Sequence, residues 1–121
     1  MEPPGSEADR IAVNESLLRE RNEAIEPMNR AIQWVDPPFA DWHCECADPA
    51  CSEPVQLAIA EYESIRTDPR RFLVAPADRH VHGDVERIVE KHDRYWIVQK
   101  VGDAAKMAEA LDPRSVESTD S

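Results

Sequence analysis

The chain reads as an α+β domain: a small, mainly antiparallel sheet with flanking short helices, a cysteine-bearing loop and a long N-terminal helix. Three observations predict it. Ile11, Leu18, Ile25 and Ile32 recur every seven residues, which keeps them on one stripe of a helix. Ala40, Trp42, Cys44 and Cys46 alternate, as do Val55, Leu57 and Ile59, and that is the period of a strand with one buried face. Ten prolines and polar turn sequences cut the remainder into short pieces.

Residues 1–8 carry two prolines, a glycine and acids with nothing to bury, and are expected to be disordered. Residues 9–36 form an N-terminal helical arm, helical from about Asp9 to Val35. Three residues after each stripe position come Asn14, Arg21, Met28 and Val35, so the seam is apolar only in its second half. Pro27 lacks an N–H and clashes one turn back, which predicts a kink or break near Ala24–Glu26. Asn14 would cap a helix starting at Glu15. On this reading Met28, Ile32 and Val35 pack on the domain, while Ile11 and Leu18 are freer to meet another chain. The alternative lays the whole helix on the domain's own core.

Asp36-Pro37-Pro38 stops the helix, and residues 37–112 make the α+β domain. Phe39 to Cys46 reads as a strand, and Ala47-Asp48-Pro49-Ala50 is turn chemistry that delivers Cys51. A second strand covers Val55, Leu57 and Ile59. A short helix over Ala58–Asp68 ends before Pro69, with Tyr62 and Ile65 facing inward and Glu61 and Glu63 on a solvated face. Phe72-Leu73-Val74 is a third strand, and Ala75 to Asp84 a loop with two histidines. Val85–Glu90 and Tyr95–Val101 flank Lys91-His92-Asp93-Arg94 as a hairpin, and its second strand is apolar enough to be central. Asp103 would cap a last helix from Ala104 to Leu111. Residues 113–121 read as a disordered polar tail.

With 25 acids against 14 bases the net charge is −11, a surface that repels a phosphate backbone and an anionic membrane alike. Basic proteins are the better-matched partners. No stretch approaches the ~18 apolar residues of a membrane span, and the first residues, Met1 to Glu7, lack a signal-peptide pattern. A cytoplasmic location is therefore expected, where thiols stay reduced.

Three cysteines within eight residues then read as metal ligands more readily than as a disulfide framework. Alternate residues of a strand share a face, so Cys44 and Cys46 point the same way, and the turn at Asp48-Pro49 folds Cys51 back toward them. Three sulfurs around one point suit a structural zinc site, which takes four tetrahedral Cys and His ligands. Buried inert thiols, a Cys44–Cys46 redox pair and an iron–sulfur cluster fit the spacing less well. The fourth ligand must come from a histidine. His43 would face away from the cysteines and His92 sits at a hairpin tip, so His80 and His82 are the candidates. There is no glycine-rich phosphate loop and no nucleophile elbow.

Three segments, RIAVNESLLRERNEAIE (Arg10 to Glu26), WHCECADPACSEPVQLAIAEYESIRTDPRRFLVAP (Trp42 to Pro76) and VERIVEKHDRYWIVQK (Val85 to Lys100), carry a resemblance. The chain resembles a group of small bacterial proteins of unknown function, over a span of about three quarters of its length. Their pattern is Cys-Glu-Cys, a turn, Cys, a Glu-Tyr-Glu helix, and a Gly-His-Glu motif before a Val-Glu-Arg strand. The resemblance implies His80 as the histidine of that motif, and hence a metal set of Cys44, Cys46, Cys51 and His80. This sequence departs from the motif at Arg79, in place of the glycine, and at Val81, in place of the glutamate, which keeps His82 a rival.

With four protein ligands the zinc would be coordinatively closed, and no catalytic residue is expected. The functional expectation is a non-catalytic, zinc-stabilised protein-interaction module, regulatory or adaptor in kind, engaging a protein through the N-terminal helix or the sheet edge, with a homo-oligomer also open. The alternative is a thiol-based redox or zinc sensor, or an enzyme, using Cys44, Cys46 and Cys51. A zinc left open to water would instead suit a hydrolase.

Overall fold

A computed structural model of the chain describes residues 7–46, 48, 50, 51 and 53–114. The terminal stretches 1–6 and 115–121, where disorder is expected, lie outside the described residues. The architecture is α+β: among the described residues there are three α-helices and two small antiparallel sheets, with the cysteines and His80 in the loops between strands.

Helix α1 runs Glu7–Asn29 and includes Pro27. Of the expected kink or break near Ala24–Glu26, the break does not occur, since the helix is continuous through it. Pro27 stands two residues from the helix end, so its missing N–H costs one bond of the final turn. The chain changes form only afterwards, where Arg30–Trp34 tighten into a 3₁₀ turn closed by the Val35 N–H on the Ile32 carbonyl at 2.9 Å. Asn14 caps nothing, because the helix has begun before it, and its side chain is exposed.

What α1 buries corrects the expectation further. Its inward line is Glu15, Arg19 and Asn22, all fully buried, continued by half-buried Glu26 and Asn29. Those positions alternate four and three apart, the spacing of a packed helix face. The aliphatic stripe Ile11, Leu18, Ile25 and Ile32 flanks that line and is half-buried, Ile25 and Ile32 touching the core. Met28 and Val35, expected to pack on the domain, are 73% and 53% exposed. Glu15, Arg19 and Asn22 each have a charged or polar partner, and this lets the polar face win over the apolar companions.

Strands β1 (Ala40–His43) and β2 (Pro54–Leu57) pair antiparallel with Ala40 opposite Leu57 and Trp42 opposite Val55. Helix α2 (Ile59–Arg66) follows, its start fixed by the Glu61 carboxylate accepting the Ala58 N–H at 2.9 Å. Strand β3 (Arg71–Val74) forms the second sheet with β4 (Glu86–Lys91) and β5 (Trp96–Lys100), in the order β3-β5-β4. The apolar strand is central, as its sequence requires. Helix α3 (Gly102–Ala110) starts two residues earlier than expected and without a side-chain cap from Asp103. Gly102, at φ +59°, turns the chain into the helix, a conformation that costs only glycine nothing.

The core joins both sheets to α2. Trp42 stacks on Tyr62 with ring centroids 4.0 Å apart and donates its indole N–H to the Leu57 carbonyl at 3.0 Å. Phe72, Leu73, Val74, Ile97 and Val98 complete it, and Ala104 and Ala108 of α3 are buried as well. Lys100 lies buried on β5 between the carboxylates of Glu15 from α1 and Glu86 from β4, and burial pushes its ammonium down to about 7. No helix among the described residues is long and apolar enough to cross a membrane.

Candidate metal centre

The two inward residues of β1 are Ala40 and Trp42, and the chain beyond the strand stays extended enough to bury Cys44 and Cys46 in turn. This segment runs beside β3. The Glu45 N–H donates to the Leu73 carbonyl at 2.8 Å, and the Ala75 N–H donates to the Cys44 sulfur at 3.2 Å. Backbone N–H donors of this kind stabilise a thiolate.

Asp48 makes the reversal that its sequence predicts. Its side chain accepts the Ala50 N–H at 2.9 Å and its carbonyl accepts the Cys51 N–H at 3.0 Å. Cys51 is thereby folded back and left half-buried. The fourth group arrives from the loop after β3. A single 3₁₀ turn over Asp78–His80, closed by the His80 N–H on the Ala77 carbonyl at 3.1 Å, buries the imidazole.

The result is one cluster. One donor atom from each of Cys44, Cys46, Cys51 and His80 lies within 4.8 Å of all the others. His80 Nδ1 stands 3.6 Å from the Cys44 sulfur and 3.8 Å from the Cys51 sulfur. Around a tetrahedral ion with bonds of ~2.3 Å to sulfur and ~2.0 Å to nitrogen, sulfur and nitrogen sit about 3.5 Å apart. These two sulfur–nitrogen distances lie near that value, and three cysteines and one histidine are close enough to hold a metal ion.

The remaining histidines separate cleanly. His82 contributes its backbone N–H to the Glu86 carboxylate at 3.0 Å and stands outside the cluster. His43 is exposed on the outer side of β1. His92 is exposed at the hairpin, bonded to Glu90 at 2.8 Å and stacked on Tyr95 at 4.5 Å.

Taken as protein groups alone, the sulfurs compete for charge. The hydrogen bond shared with Cys46 and then burial push the Cys44 thiol up, and accepting that bond draws Cys46 down to about 5. Burial raises Cys51 too. A divalent cation removes the conflict, since a coordinating thiol is deprotonated outright. Outside the sulfurs, Glu53 lies 3.5 Å from His80 Nε2 and pairs with Arg79, placing a carboxylate against the ring nitrogen that faces away from the cluster.

Searches of family models, curated proteins and solved structures found no match to this chain.

The residue that sequence reasoning passed over is Glu45, between the two cysteines. Its carboxylate is fully buried and accepts from Arg19 at 3.3 Å, from Asn22 at 3.0 Å and from the Leu73 N–H at 3.1 Å. The signal was present in the sequence: a charged residue between two residues facing one way must face the other way. A second charged group sits at the far end of α1. There Arg114 bonds Glu23 at 2.6 Å and Glu63 at 2.6 Å and reaches Glu26 at 3.3 Å, lining a shallow pocket with them. Residue 114 is therefore anchored to α1 and α2, although 113 onward reads as tail.

Proposed function

We propose that the chain is a non-catalytic module whose fold is held by one zinc ion on Cys44, Cys46, Cys51 and His80, and that it acts by binding another protein as a regulator or adaptor. The observation that carries this reading is the meeting of four donors from two separate loops within 4.8 Å. Zinc is favoured among metals because a three-thiolate, one-imidazole set is a structural zinc set, and harder cations prefer oxygen. With four protein donors no position is left for water, and a hydrolytic zinc needs one. What zinc supplies here is coordination that joins the β1–β2 connection to the loop after β3.

The binding half of the reading rests on α1 and the turn after it. Val13 and Leu17 lie one turn apart and outward, and beyond them Met28 and Trp34 are 73% and 84% exposed. Isolated exposed apolar residues are ordinary, but a series of them along one helix and its extension suits a protein contact. The thiol-sensor reading is second. It is favoured by Cys51, the one sulfur left half-buried and so open to an oxidant or a chelator.

Elemental analysis of protein purified without added metal tests the site, alongside thiol titration. One zinc per chain with thiols that react only after chelation supports the proposal. Zinc well under one per chain with three freely titrating thiols overturns it.

A further inference from the structure

Glu45 occupies an unusual place. The residues on either side of it, Cys44 and Cys46, belong to the metal cluster, while its own carboxylate points to the opposite side and receives α1. Two side chains of α1 converge there. Arg19 binds the carboxylate, donates to the Pro69 carbonyl at 3.1 Å and to the Arg71 carbonyl, and lies 3.8 Å over the Phe72 ring. Asn22 binds the other carboxylate oxygen and brackets His43, donating to its carbonyl at 3.0 Å and accepting its N–H at 2.8 Å.

These contacts are the centre of the inward line of α1, and no aliphatic residue replaces them there. A helix seated by apolar side chains stays seated when its receptor shifts slightly, because the hydrophobic effect has no direction. A helix seated by buried hydrogen bonds does not. A buried charged group left without its partner costs several kcal/mol, and bonds of this kind weaken steeply when the angle or distance slips.

We infer that metal occupancy controls the docking of α1: the ion fixes Cys44 and Cys46, their backbone fixes the carboxylate of Glu45, and that carboxylate holds Arg19 and Asn22. The inference rests on the metal reading of the cysteine cluster. It adds the regulation of that site. When the ion leaves, the segment from Cys44 to Cys46 is held only by its bonds to β3 and to α1 itself, and the receptor for Arg19 and Asn22 is loosened. The same helix carries the exposed apolar residues of the proposed contact surface, so loss of metal would change what α1 presents to a partner.

Hydrogen–deuterium exchange read by mass spectrometry on the full chain tests this, with zinc measured on the same samples. Chelation should speed exchange in residues 10–29 by roughly tenfold or more while amides of β3 and β5 stay protected. Glu45→Gln should give the chelated pattern in α1 with zinc still at one per chain. Arg19→Met supplies the same test from the other partner if Glu45→Gln folds poorly. A preparation without zinc overturns the metal reading itself. Zinc present with α1 exchange unchanged by chelation, or with every element exchanging faster alike, overturns the coupling and leaves the metal reading standing.

Discussion

Replacing Cys46 by serine removes one of the four donors at a fully buried position. The cost has two parts. A metal present at a thousand times its dissociation constant adds about 4 kcal/mol to folding, and most of that is lost when a ligand is lost. A serine hydroxyl buried without a partner adds about 1–3 kcal/mol. For a domain of this size, 1 kcal/mol moves the melting temperature by roughly 3–6 °C, so Cys46→Ser should melt at least ~12 °C below the parent. The control is His92→Ala. That histidine is 41% exposed at its side chain, with one bond to Glu90 and one ring contact to Tyr95. Its loss should cost about 0.5–1 kcal/mol, a few degrees. Circular-dichroism melts with and without chelator make the comparison. The parent should fall toward the Cys46→Ser value on chelation, and the mutant should barely respond. Equal melting temperatures for the two mutants, or a parent indifferent to chelator, would refute the reasoning.

His80→Ala should lower zinc content and melting temperature, whereas His82→Ala should leave one zinc per chain; the reverse result in elemental analysis would assign the ligand to His82. Burial and the hydrogen bond shared with Glu63 push Glu26 up to about 7, while Arg114 draws Glu63 down to about 2. A carboxyl raised in the folded state favours folding at low pH and loses that contribution as pH rises through 7. Glu26→Gln should therefore raise the urea midpoint at pH 8 and change it little at pH 5; a gain confined to pH 5 would contradict the sign. Replacing Leu17 and Met28 together by serine should abolish a complex isolated by pull-down while zinc content and melting temperature stay within experimental scatter. Unfolding of that double mutant would show that these residues are core.

The elements were legible where a period reached the surface of the sequence. Alternation placed β1 and β2, the punctuation before Pro69 ended α2, and the apolar run around Ile97 identified the central strand. The phase of α1 was not legible. A heptad of isoleucine and leucine names a stripe, but burial was decided by Glu15, Arg19 and Asn22, whose partners Lys100, Glu45 and His43 lie 85, 26 and 21 positions away. A polar residue is read as outward because burying it alone is costly. Only the tertiary structure shows that it is not alone. The same rule explains Met28: once the polar line turns inward, residues on the other side of the helix must face out, apolar or not.

The cysteines show how far spacing can carry and where it stops. Cys-x-Cys with a turn to a third Cys constrains three sulfurs through local geometry, because alternation and an Asp-Pro turn act within eight residues. Choosing between His80 and His82 from the chain alone turns on which of two residues in a ten-residue loop turns inward. The loop resolves it through one 3₁₀ turn, whose bond from His80 to the Ala77 carbonyl rotates that imidazole into the cluster and leaves His82 to meet Glu86. Glu45 joins the two problems. The alternation that aims Cys44 and Cys46 at the donor cluster aims Glu45 at α1, so the short segment that supplies two of the clustered sulfurs also receives Arg19 and Asn22 from the buried face of the long helix. A Cys-Ala-Cys version of this segment would keep the sulfurs and lose the helix's receptor, and that asymmetry is why the intervening carboxylate belongs to the architecture of the site.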